Sequence, residues 1–382
     1  MINLMPPPPT KKLGIVSYNI HCNFTNYGSA LQSYALSQAI NRLGNGKYTP
    51  ILVDYCPDIL ADKDPRNPMK HMWDQDDAAL KRCQLSLPAI LENYEKFDTF
   101  YNTRFNKTKK TYTSENFDEI VADEELDGFV CGSDTIFCID EFGFDDGYYA
   151  NYKCMKDGYS VSYAASFGDS HFTDESLETL NRLLRNFKAI GLREEAMVSY
   201  VKDHTSVRVE RVIDPTLLLS SEDYDKIAAP RLEDERYLLL YSRRYNPEMT
   251  AHAEKIAKQY GLRIVEISLC AENAGKGHRM FYEAGVEEYL SLVKYADYVV
   301  TNSYHGLIFC VQYRRPFVVF SREQADSKID EVLSLLGLES RKMLSDGEPQ
   351  IKDIDYDSVH DRILKSRISS LEYLSEVLNN CP

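Results

Sequence analysis

Short apolar runs alternate along this chain with longer stretches whose apolar residues follow helical spacing. Residues 13–18 read LGIVSY and predict a strand, and residues 29–43 place apolar side chains three and four positions apart, as in a helix. A second apolar run follows at residues 49–54. This order predicts a βαβ unit whose first loop, residues 19–27, faces a ligand.

The same alternation continues to the end of the chain. Further strands are predicted at residues 128–131, 159–166, 188–192, 208–213, 237–241, 262–268, 297–301 and 316–320. Helices are predicted at residues 91–105, 114–125, 173–186, 193–201, 247–260, 286–295 and 329–336, with one long helix or two short ones at 356–378. Residues 57–88 are polar and irregular, which predicts an insertion with short helices.

The alternation stops near residue 214 and restarts near residue 236, which predicts an α/β protein with two Rossmann-like domains facing across a cleft. The expected limits are 12–214 for the N-terminal domain, with an insertion at 57–110, and 215–345 for the C-terminal domain. Residues 1–11 are expected to be a disordered extension. Residues 346–382 are expected to form a helical segment that packs back near the domain junction.

Composition narrows the classes of function. The 382 residues carry a formal net charge of -15, which argues against a nucleic-acid partner. The nine cysteines are scattered without a C-x-x-C pair, and the first residues lack a signal-peptide pattern, so we expect reduced thiols and a cytoplasmic protein. No apolar run is long enough to span a membrane. The histidines do not cluster and no dinucleotide fingerprint or P-loop is present, so no metal and no cofactor are predicted.

The stretch at residues 297–309, DYVVTNSYHGLIF, carries the strongest chemical signal. It places His305 where a buried strand ends and a helix begins, the edge at which open α/β sheets bind ligands. Helix starts attract anions, and imidazole can hold an anion or move a proton near neutral pH. Gly306 would let a ligand approach the backbone, and Tyr304 and Phe309 could wall the ring from water. The alternative is a histidine that only caps the helix.

Polar residues follow several other predicted strands. Asp134 could act as an acid or base or could cap a turn. Arg193 is predicted to open a helix, where a bound anion would offset its unfavourable charge, but it could equally pair with a nearby carboxylate. Arg243 and Arg244 form a second candidate anion clamp or an exposed loop pair. Asp214, before a proline, is expected to be structural.

Six segments, in this order, resemble the polysaccharide pyruvyl transferase family. They are NYGSALQSYAL at 26–36, FVCGSD at 129–134, SYAASFG at 162–168, LREE at 192–195, DPTLLL at 214–219 and ADYVVTNSYHGLIF at 296–309. The segment SKIDEVLSLLGLESR at 327–341 is also similar to that family. The chain departs from the family pattern at Phe137, where a tryptophan is frequent, and at Tyr304, where a phenylalanine is frequent.

The resemblance implies a fold similar to GT-B glycosyltransferases and a reaction that moves the enolpyruvyl part of phosphoenolpyruvate onto sugar hydroxyls, forming a pyruvate ketal. Phosphoenolpyruvate and a saccharide are the expected partners, with the acceptor on the N-terminal domain and the donor on the C-terminal domain. With a lipid-linked acceptor the protein would work at a membrane surface. The expected catalytic residues are His305 and Asp134. The expected substrate-binding residues are Arg193, Asn26, Gly28, Ser133, Ser303, Tyr304, Gly306 and Arg243.

Two other functions remain open from the sequence. A GT-B glycosyltransferase would use a nucleotide sugar, and a catalytically silent carbohydrate-binding protein would bind a glycan without turnover. Phosphoenolpyruvate should raise the melting temperature of a pyruvyl transferase, whereas a nucleoside diphosphate should raise that of a glycosyltransferase.

Overall fold

The computed structural model describes residues 10–68, 77–322, 326–343 and 353–382. Strands and helices alternate, as the apolar pattern predicts, and the strands form two separate parallel sheets. The prediction of an α/β fold with two Rossmann-like sheets is confirmed. The predicted extension at 1–11 lies outside the described residues as far as residue 9, and Lys11 already belongs to the first strand.

The first sheet has six strands in the order β2-β1-β3-β4-β5-β6. Its strands are β1 (Lys11–Val16), β2 (Tyr48–Leu52), β3 (Gly128–Cys131), β4 (Ser160–Ala165), β5 (Ala189–Leu192) and β6 (Arg208–Arg211). The central strands β3, β4 and β5 are buried throughout, because helices cover both faces of a parallel sheet.

The second sheet has five strands in the order β11-β10-β7-β8-β9. Its strands are β7 (Tyr237–Tyr241), β8 (Arg263–Ile267), β9 (Arg279–Met280), β10 (Tyr298–Thr301) and β11 (Phe317–Val319). Strand β9 was not predicted, because two half-buried residues carry no detectable period.

Helices connect these strands. They are α1 (Tyr27–Gly44), α2 (Asp77–Arg104), α3 (Ile120–Glu124), α4 (Ile139–Phe142), α5 (Lys153–Asp157), α6 (Asp174–Leu183), α7 (Glu195–His204), α8 (Ser221–Asp225), α9 (Pro247–Tyr260), α10 (Val286–Tyr295), α11 (Tyr304–Gln312), α12 (Asp326–Leu336) and α13 (Tyr356–Asn379). No helix of the described ranges is both long and apolar enough to cross a membrane.

Three sequence predictions about helix limits were wrong. The helix predicted at 114–125 is an α-helix only at Ile120–Glu124, after a 3-10 turn at Phe117–Glu119. The segment predicted as irregular up to residue 88 is helical from Asp77, and Pro88 lies inside α2. Arg193 does not open a helix: it follows β5 directly, and α7 begins only at Glu195 after its cap residue Glu194.

Helix α2 belongs to the first half of the sequence but contacts residues of the second. The Asn93 side-chain amide donates to the carbonyl of Ala284, and Lys96 and Arg104 form ion pairs with Glu288 and Glu287. The continuous hydrophobic core between the two sheets includes Phe97 from α2. The two halves are therefore joined by a packed helix as well as by the chain.

Helix α13 runs along both halves in the same way. Near its start, the Tyr356 hydroxyl donates to the carbonyl of Arg315, and near its end, the Tyr373 hydroxyl donates to the carbonyl of Ser162, at 3.0 Å.

All nine cysteine side chains are unpaired, and eight of them are buried.

Candidate functional site

His305 lies in the first turn of α11, immediately beyond strand β10. The helix is capped by Ser303, whose hydroxyl accepts a hydrogen bond from the backbone N–H of Gly306 at 3.2 Å. The capping function therefore belongs to Ser303, and the imidazole of His305 is available for another role. Only 7% of the residue is exposed.

The imidazole packs against the start of α1, which comes from the other half of the chain. A Cβ atom placed on Gly28 would lie 2.0 Å from Nδ1 of His305, far inside van der Waals contact. Only a glycine leaves room for the ring at this distance. Gly28 therefore accommodates the histidine, where the sequence had suggested a contact with the acceptor.

Asp214 is the charged partner of His305. Its Oδ2 atom lies 3.4 Å from Nε2 of His305 and accepts a hydrogen bond from Nη1 of Arg193 at 2.5 Å. Its other oxygen accepts from the backbone N–H and the hydroxyl of Thr216, at 2.9 and 2.6 Å. The contacts with Thr216 agree with the expected structural role of Asp214. The same carboxylate also contacts both Arg193 and His305, which the expectation did not include.

Arg193 uses only part of its hydrogen-bonding capacity. The residue is 8% exposed, and among the described residues its Nε and Nη2 atoms find no hydrogen-bond partner. Its guanidinium carbon lies 5.1 Å from the centre of the Tyr304 ring, which in turn meets the His305 ring edge-on at 5.0 Å. Buried donors without acceptors are costly, so this guanidinium is poised to receive an anion.

The two carboxyl groups near His305 are held in the ionised form. Burial by itself would raise the pKa of Asp214, but His305 and Arg193 outweigh it and hold that pKa well below the usual value. The pKa of Asp134 is also lowered, because the same two residues and Lys328 outweigh its burial. Both side chains are therefore acceptors at neutral pH.

Asp134 reaches the site through the first turn of α1. The Ser29 hydroxyl donates to Oδ2 of Asp134 at 2.6 Å, while Asn26 caps the helix by accepting from the backbone N–H of Gly28 at 3.0 Å. Asp134 has a φ of 72°, a left-handed conformation that aspartate tolerates better than most residues. The cap and the carboxylate are thus brought to the same helix start that contacts His305.

Three other predicted residues have structural neighbours in place of open space. The Ser133 hydroxyl is fully buried and donates to the carbonyl of Ala164 at 3.0 Å, so it positions the loop that carries Asp134. A Cβ atom on Gly306 would lie 2.5 Å from Oγ1 of Thr301, so this glycine permits packing between strand and helix. Phe309 packs on Tyr224 in the core, with ring centres 4.9 Å apart.

Lys328 was not foreseen as a site residue. It lies in the first turn of α12 and lines a cleft of about 420 Å³, counting its open mouth, together with Arg193, Asp214 and Tyr304. Burial lowers its pKa, and Asp134 acts against that change. The sequence pattern that could have identified Lys328 is a cation at the start of a helix that follows a strand. The same pattern drew attention to Arg193.

Arg243 lies in a neighbouring cleft. Its backbone N–H donates to Oδ1 of Asn302 at 2.9 Å, and its Nη1 donates to the carbonyl of Thr25 at 3.0 Å. It therefore links the loop after β7 both to the residue before Ser303 and to the first half of the chain.

Within the described ranges, no three His, Cys, Asp or Glu side chains are grouped so that they could hold a metal ion.

Solved structures of other proteins share the architecture. A UDP-GlcNAc 2-epimerase from Methanocaldococcus jannaschii aligns over 97% of this chain and 99% of its own, with a TM-score of 0.51 and 12% identity. A protein assigned as a UDP-N-acetylglucosamine 2-epimerase from Listeria monocytogenes aligns over 96% and 90%, with a TM-score of 0.51 and 10% identity. Glycosyltransferases align as well, among them a UGT transferase from Siraitia grosvenorii, over 96% and 100% at 12% identity and a TM-score of 0.44. The expected fold class, two Rossmann-like units as in GT-B proteins, is confirmed by the two parallel sheets and by the alignment with the two epimerases.

Sequence comparison identifies the family. No curated protein sequence matches the chain. The sequence profile of the family described as polysaccharide pyruvyl transferase, in contrast, matches residues 26–324, a range that contains every expected site residue. The chain belongs to the polysaccharide pyruvyl transferase family.

Proposed function

We propose that this protein transfers the pyruvyl group of phosphoenolpyruvate onto two hydroxyls of a saccharide, forming a pyruvate ketal. The observation that carries the proposal is the guanidinium of Arg193, which is more than nine-tenths buried and has two nitrogens without a partner among the described residues. Lys328 lines the same cavity as Arg193, and Nε2 of His305 lies 3.4 Å from Asp214 in the cavity wall. A substrate with a phosphate and a carboxylate would complete these donors, and the family membership supports the reaction class.

The proposed reaction has two steps. In the first, one sugar hydroxyl adds to C2 of phosphoenolpyruvate, and C3 gains a proton and becomes a methyl group. In the second, another hydroxyl attacks C2, the bond from C2 to the phosphate oxygen breaks, and phosphate departs. Two C–O bonds form and one breaks, and the two hydroxyl protons end on the methyl group and on the phosphate.

The charges around the cavity suit these proton movements. His305 would deliver the proton, with the ionised Asp214 at 3.4 Å to hold the ring when it is protonated. Asp134, kept ionised by its surroundings, would accept a hydroxyl proton from the acceptor, which enters beside the start of α1. Arg193 and Lys328 would hold the donor and stabilise negative charge on the departing phosphate.

Calorimetric titration with phosphoenolpyruvate tests the donor. Arg193→Ala should weaken binding by about 10- to 100-fold, the loss of a charge-assisted hydrogen bond of roughly 1.5–3 kcal/mol. Arg193→Lys should recover only part of it, because an ammonium cannot bind two oxygens as a fork. The matched control is Arg208→Gln, which removes a half-exposed arginine from the strand next to β5.

Phosphate release from phosphoenolpyruvate with a panel of free, nucleotide-linked and lipid-linked sugars then tests the transfer. Release that requires a sugar and disappears in Arg193→Ala supports the proposal. Absence of phosphoenolpyruvate binding at millimolar concentration would end it. A rise in melting temperature with UDP alone would favour the glycosyltransferase alternative, and glycan binding without phosphate release would favour the silent carbohydrate-binding protein.

A further inference from the structure

Glu194 is a buried carboxylate that has no role in the reaction described above. It occupies the cap position before α7, but its side chain makes no capping hydrogen bond to that helix. The residue is only 6% exposed and lines the cleft that Arg193 and Lys328 also line, which is termed the donor cleft. A carboxylate buried this deeply needs hydrogen-bond partners for both of its oxygens.

One oxygen of Glu194 has such a partner. The hydroxyl of Ser166, which is fully buried, donates to Oε1 of Glu194. The same hydroxyl accepts a hydrogen bond from the backbone N–H of Gly168 at 3.1 Å. A hydroxyl has a single proton to donate, and here that proton points to Glu194. Ser166 therefore fixes the orientation of the carboxyl group in the cleft.

The other oxygen of Glu194 has no partner. Oε2 is buried, and in the part of the chain that the structure describes it makes no hydrogen bond. Two nitrogens of Arg193, the preceding residue, are unpartnered in the same way and do not bond to Oε2. The donor cleft therefore presents an unfilled acceptor beside two unfilled donors. The set of ligands that completes it must supply a proton-bearing group as well as an anion.

Phosphoenolpyruvate supplies the anion but not the proton-bearing group. Its carboxylate is ionised at neutral pH, and the second pKa of a phosphate monoester is about 6, so both groups act mainly as acceptors. The negative charge of a facing carboxylate repels such a donor. Glu194 therefore opposes donor binding, and its use must lie in a step that involves an O–H group. Sugar hydroxyls are the groups in the proposed reaction that carry one.

The position of Glu194 relative to Asp134 suits a sugar with two reacting hydroxyls. Asp134 follows β3, and its backbone carbonyl accepts a hydrogen bond from the N–H of Ser166, beyond the neighbouring strand β4, at 3.0 Å. Because Ser166 also holds Glu194, the two carboxylates are anchored at the ends of adjacent strands, which lie about 4.8 Å apart. A ketal requires two hydroxyls of the acceptor, and each carboxylate can serve one of them.

The donor cleft also contains a second carboxyl group. Glu331 of α12 lines it, and burial together with the negative charge of Glu194 raises the pKa of Glu331. Its response shows that the charge of Glu194 acts across the cleft, close to Arg193 and Lys328. A proton accepted by Glu194 is therefore taken up beside the two cations that would hold the departing phosphate.

We propose that Glu194 is the general base for the second sugar hydroxyl, the one that closes the ketal ring. This inference deepens the proposed function and rests on it for the reaction. The oxygen of that hydroxyl forms a bond to C2 as its O–H bond breaks, and its proton passes to Oε2 of Glu194. The bond from C2 to the phosphate oxygen breaks with its electron pair left on the phosphate, which then receives the proton from Glu194. Asp134 serves the first hydroxyl.

Calorimetric titration with phosphoenolpyruvate tests whether Glu194 faces the donor. Glu194→Gln replaces Oε2 by an amide that donates hydrogen bonds and cannot accept a proton. The variant should bind phosphoenolpyruvate about 3-fold more tightly or better, because a repelling charge is removed. The matched control is Glu195→Gln, which removes the neighbouring carboxylate, 61% exposed and 3.1 Å from Arg211, and should stay within twofold of wild type. Weaker binding by Glu194→Gln would show that Glu194 only positions Arg193, and would overturn the inference.

Rapid-quench measurements test the catalytic step, with the sugar that gives the fastest phosphate release in the wild type. Glu194→Gln should release phosphate about 10²- to 10⁴-fold more slowly. The first hydroxyl should still add, so an adduct with the summed mass of the sugar and phosphoenolpyruvate should accumulate and be visible by mass spectrometry. Glu194→Asp keeps a carboxylate that is one methylene shorter and should recover part of the rate.

The outcomes separate this inference from the pyruvyl transfer itself. Phosphate release by Glu194→Gln at the wild-type rate would overturn the inference and leave the transfer standing. Slow release without an adduct, in Glu194→Gln and Glu194→Asp alike, would also overturn it, because Glu194 would then act before the second hydroxyl attacks. A wild-type protein that releases phosphate with none of the sugars would overturn both. Accumulation of the adduct supports both.

Discussion

Replacing Gly28 by alanine should disturb the site through a single contact. The added Cβ would lie 2.0 Å from Nδ1, 2.4 Å from Cγ and 2.7 Å from Cε1 of His305. Atoms that are not bonded rarely approach within about 3.4 Å, so the ring or the start of α1 must move by more than about 1 Å. A displacement of about 1 Å at a catalytic group can lower turnover about 100-fold.

The same substitution should also destabilise the protein. Glycine to alanine within a helix ordinarily stabilises by about 0.5–1 kcal/mol, but here overpacking should cost about 1–3 kcal/mol. The double variant Gly28→Ala/His305→Ala removes the ring and should regain most of that stability, which gives a coupling free energy of about 1 kcal/mol or more in a double-mutant cycle. Gly275→Ala is the control, because a Cβ there meets nothing within 4 Å.

Urea unfolding of the four proteins in the cycle measures the stability, and phosphate release from phosphoenolpyruvate measures the turnover. The reasoning is refuted if Gly28→Ala is as stable and as active as Gly275→Ala. It is equally refuted if the destabilisation by Gly28→Ala persists unchanged when His305 is alanine, because the clash would then lie elsewhere.

Three further predictions follow from the site and its surroundings. His305→Ala and His305→Gln should both lower turnover by about 10²- to 10⁴-fold if the ring delivers a proton, whereas retention of activity by His305→Gln in the phosphate-release assay would reduce the ring to a phosphate contact. Asp214→Asn should destabilise the protein by about 3–5 kcal/mol at neutral pH, measured by urea unfolding. Because the pKa of Asp214 is held below its usual value, the full difference should be present above pH ~4. The difference should become smaller only as the pH falls through the lowered pKa. Burial lowers the pKa of His21, but the hydrogen bond to Asp54 outweighs burial and raises this pKa to about 9. The free energy of unfolding of the wild type should therefore fall by about 1–3 kcal/mol between pH ~6.5 and pH ~9. His21→Gln should lack this decline in the same urea measurement.

Local patterns predicted much of the fold. The limits of β3, β7, α9 and α10 agree with the apolar runs and caps, because a strand buried on both faces and a capped amphipathic helix reveal themselves within a few residues. Helix α2 was predicted too short because Pro88 normally ends a helix. Contacts made further along α2, with residues about 190 positions away in sequence, support the helix and cannot be seen in the local pattern.

The site was predicted less completely for a related reason. His305 and Arg193 stand at strand ends, so topology alone brings them to the carboxyl edges of the two sheets. The roles of Gly28, Asp214 and Lys328 depend on which side chains meet after the two halves pack together. The sequence therefore predicted at which edge of the sheets a ligand should bind. The contact between His305 and Asp214 became visible only in the three-dimensional structure.

Helix α2 also bears on how such proteins can diversify. It is encoded with the first half, yet Asn93, Lys96 and Arg104 bind the second half through Ala284, Glu288 and Glu287. A recombination event that exchanged only the second half between two relatives would separate these partners. New combinations of the two halves are therefore expected to arise by substitution within one gene, or by exchange of α2 together with the residues that it contacts.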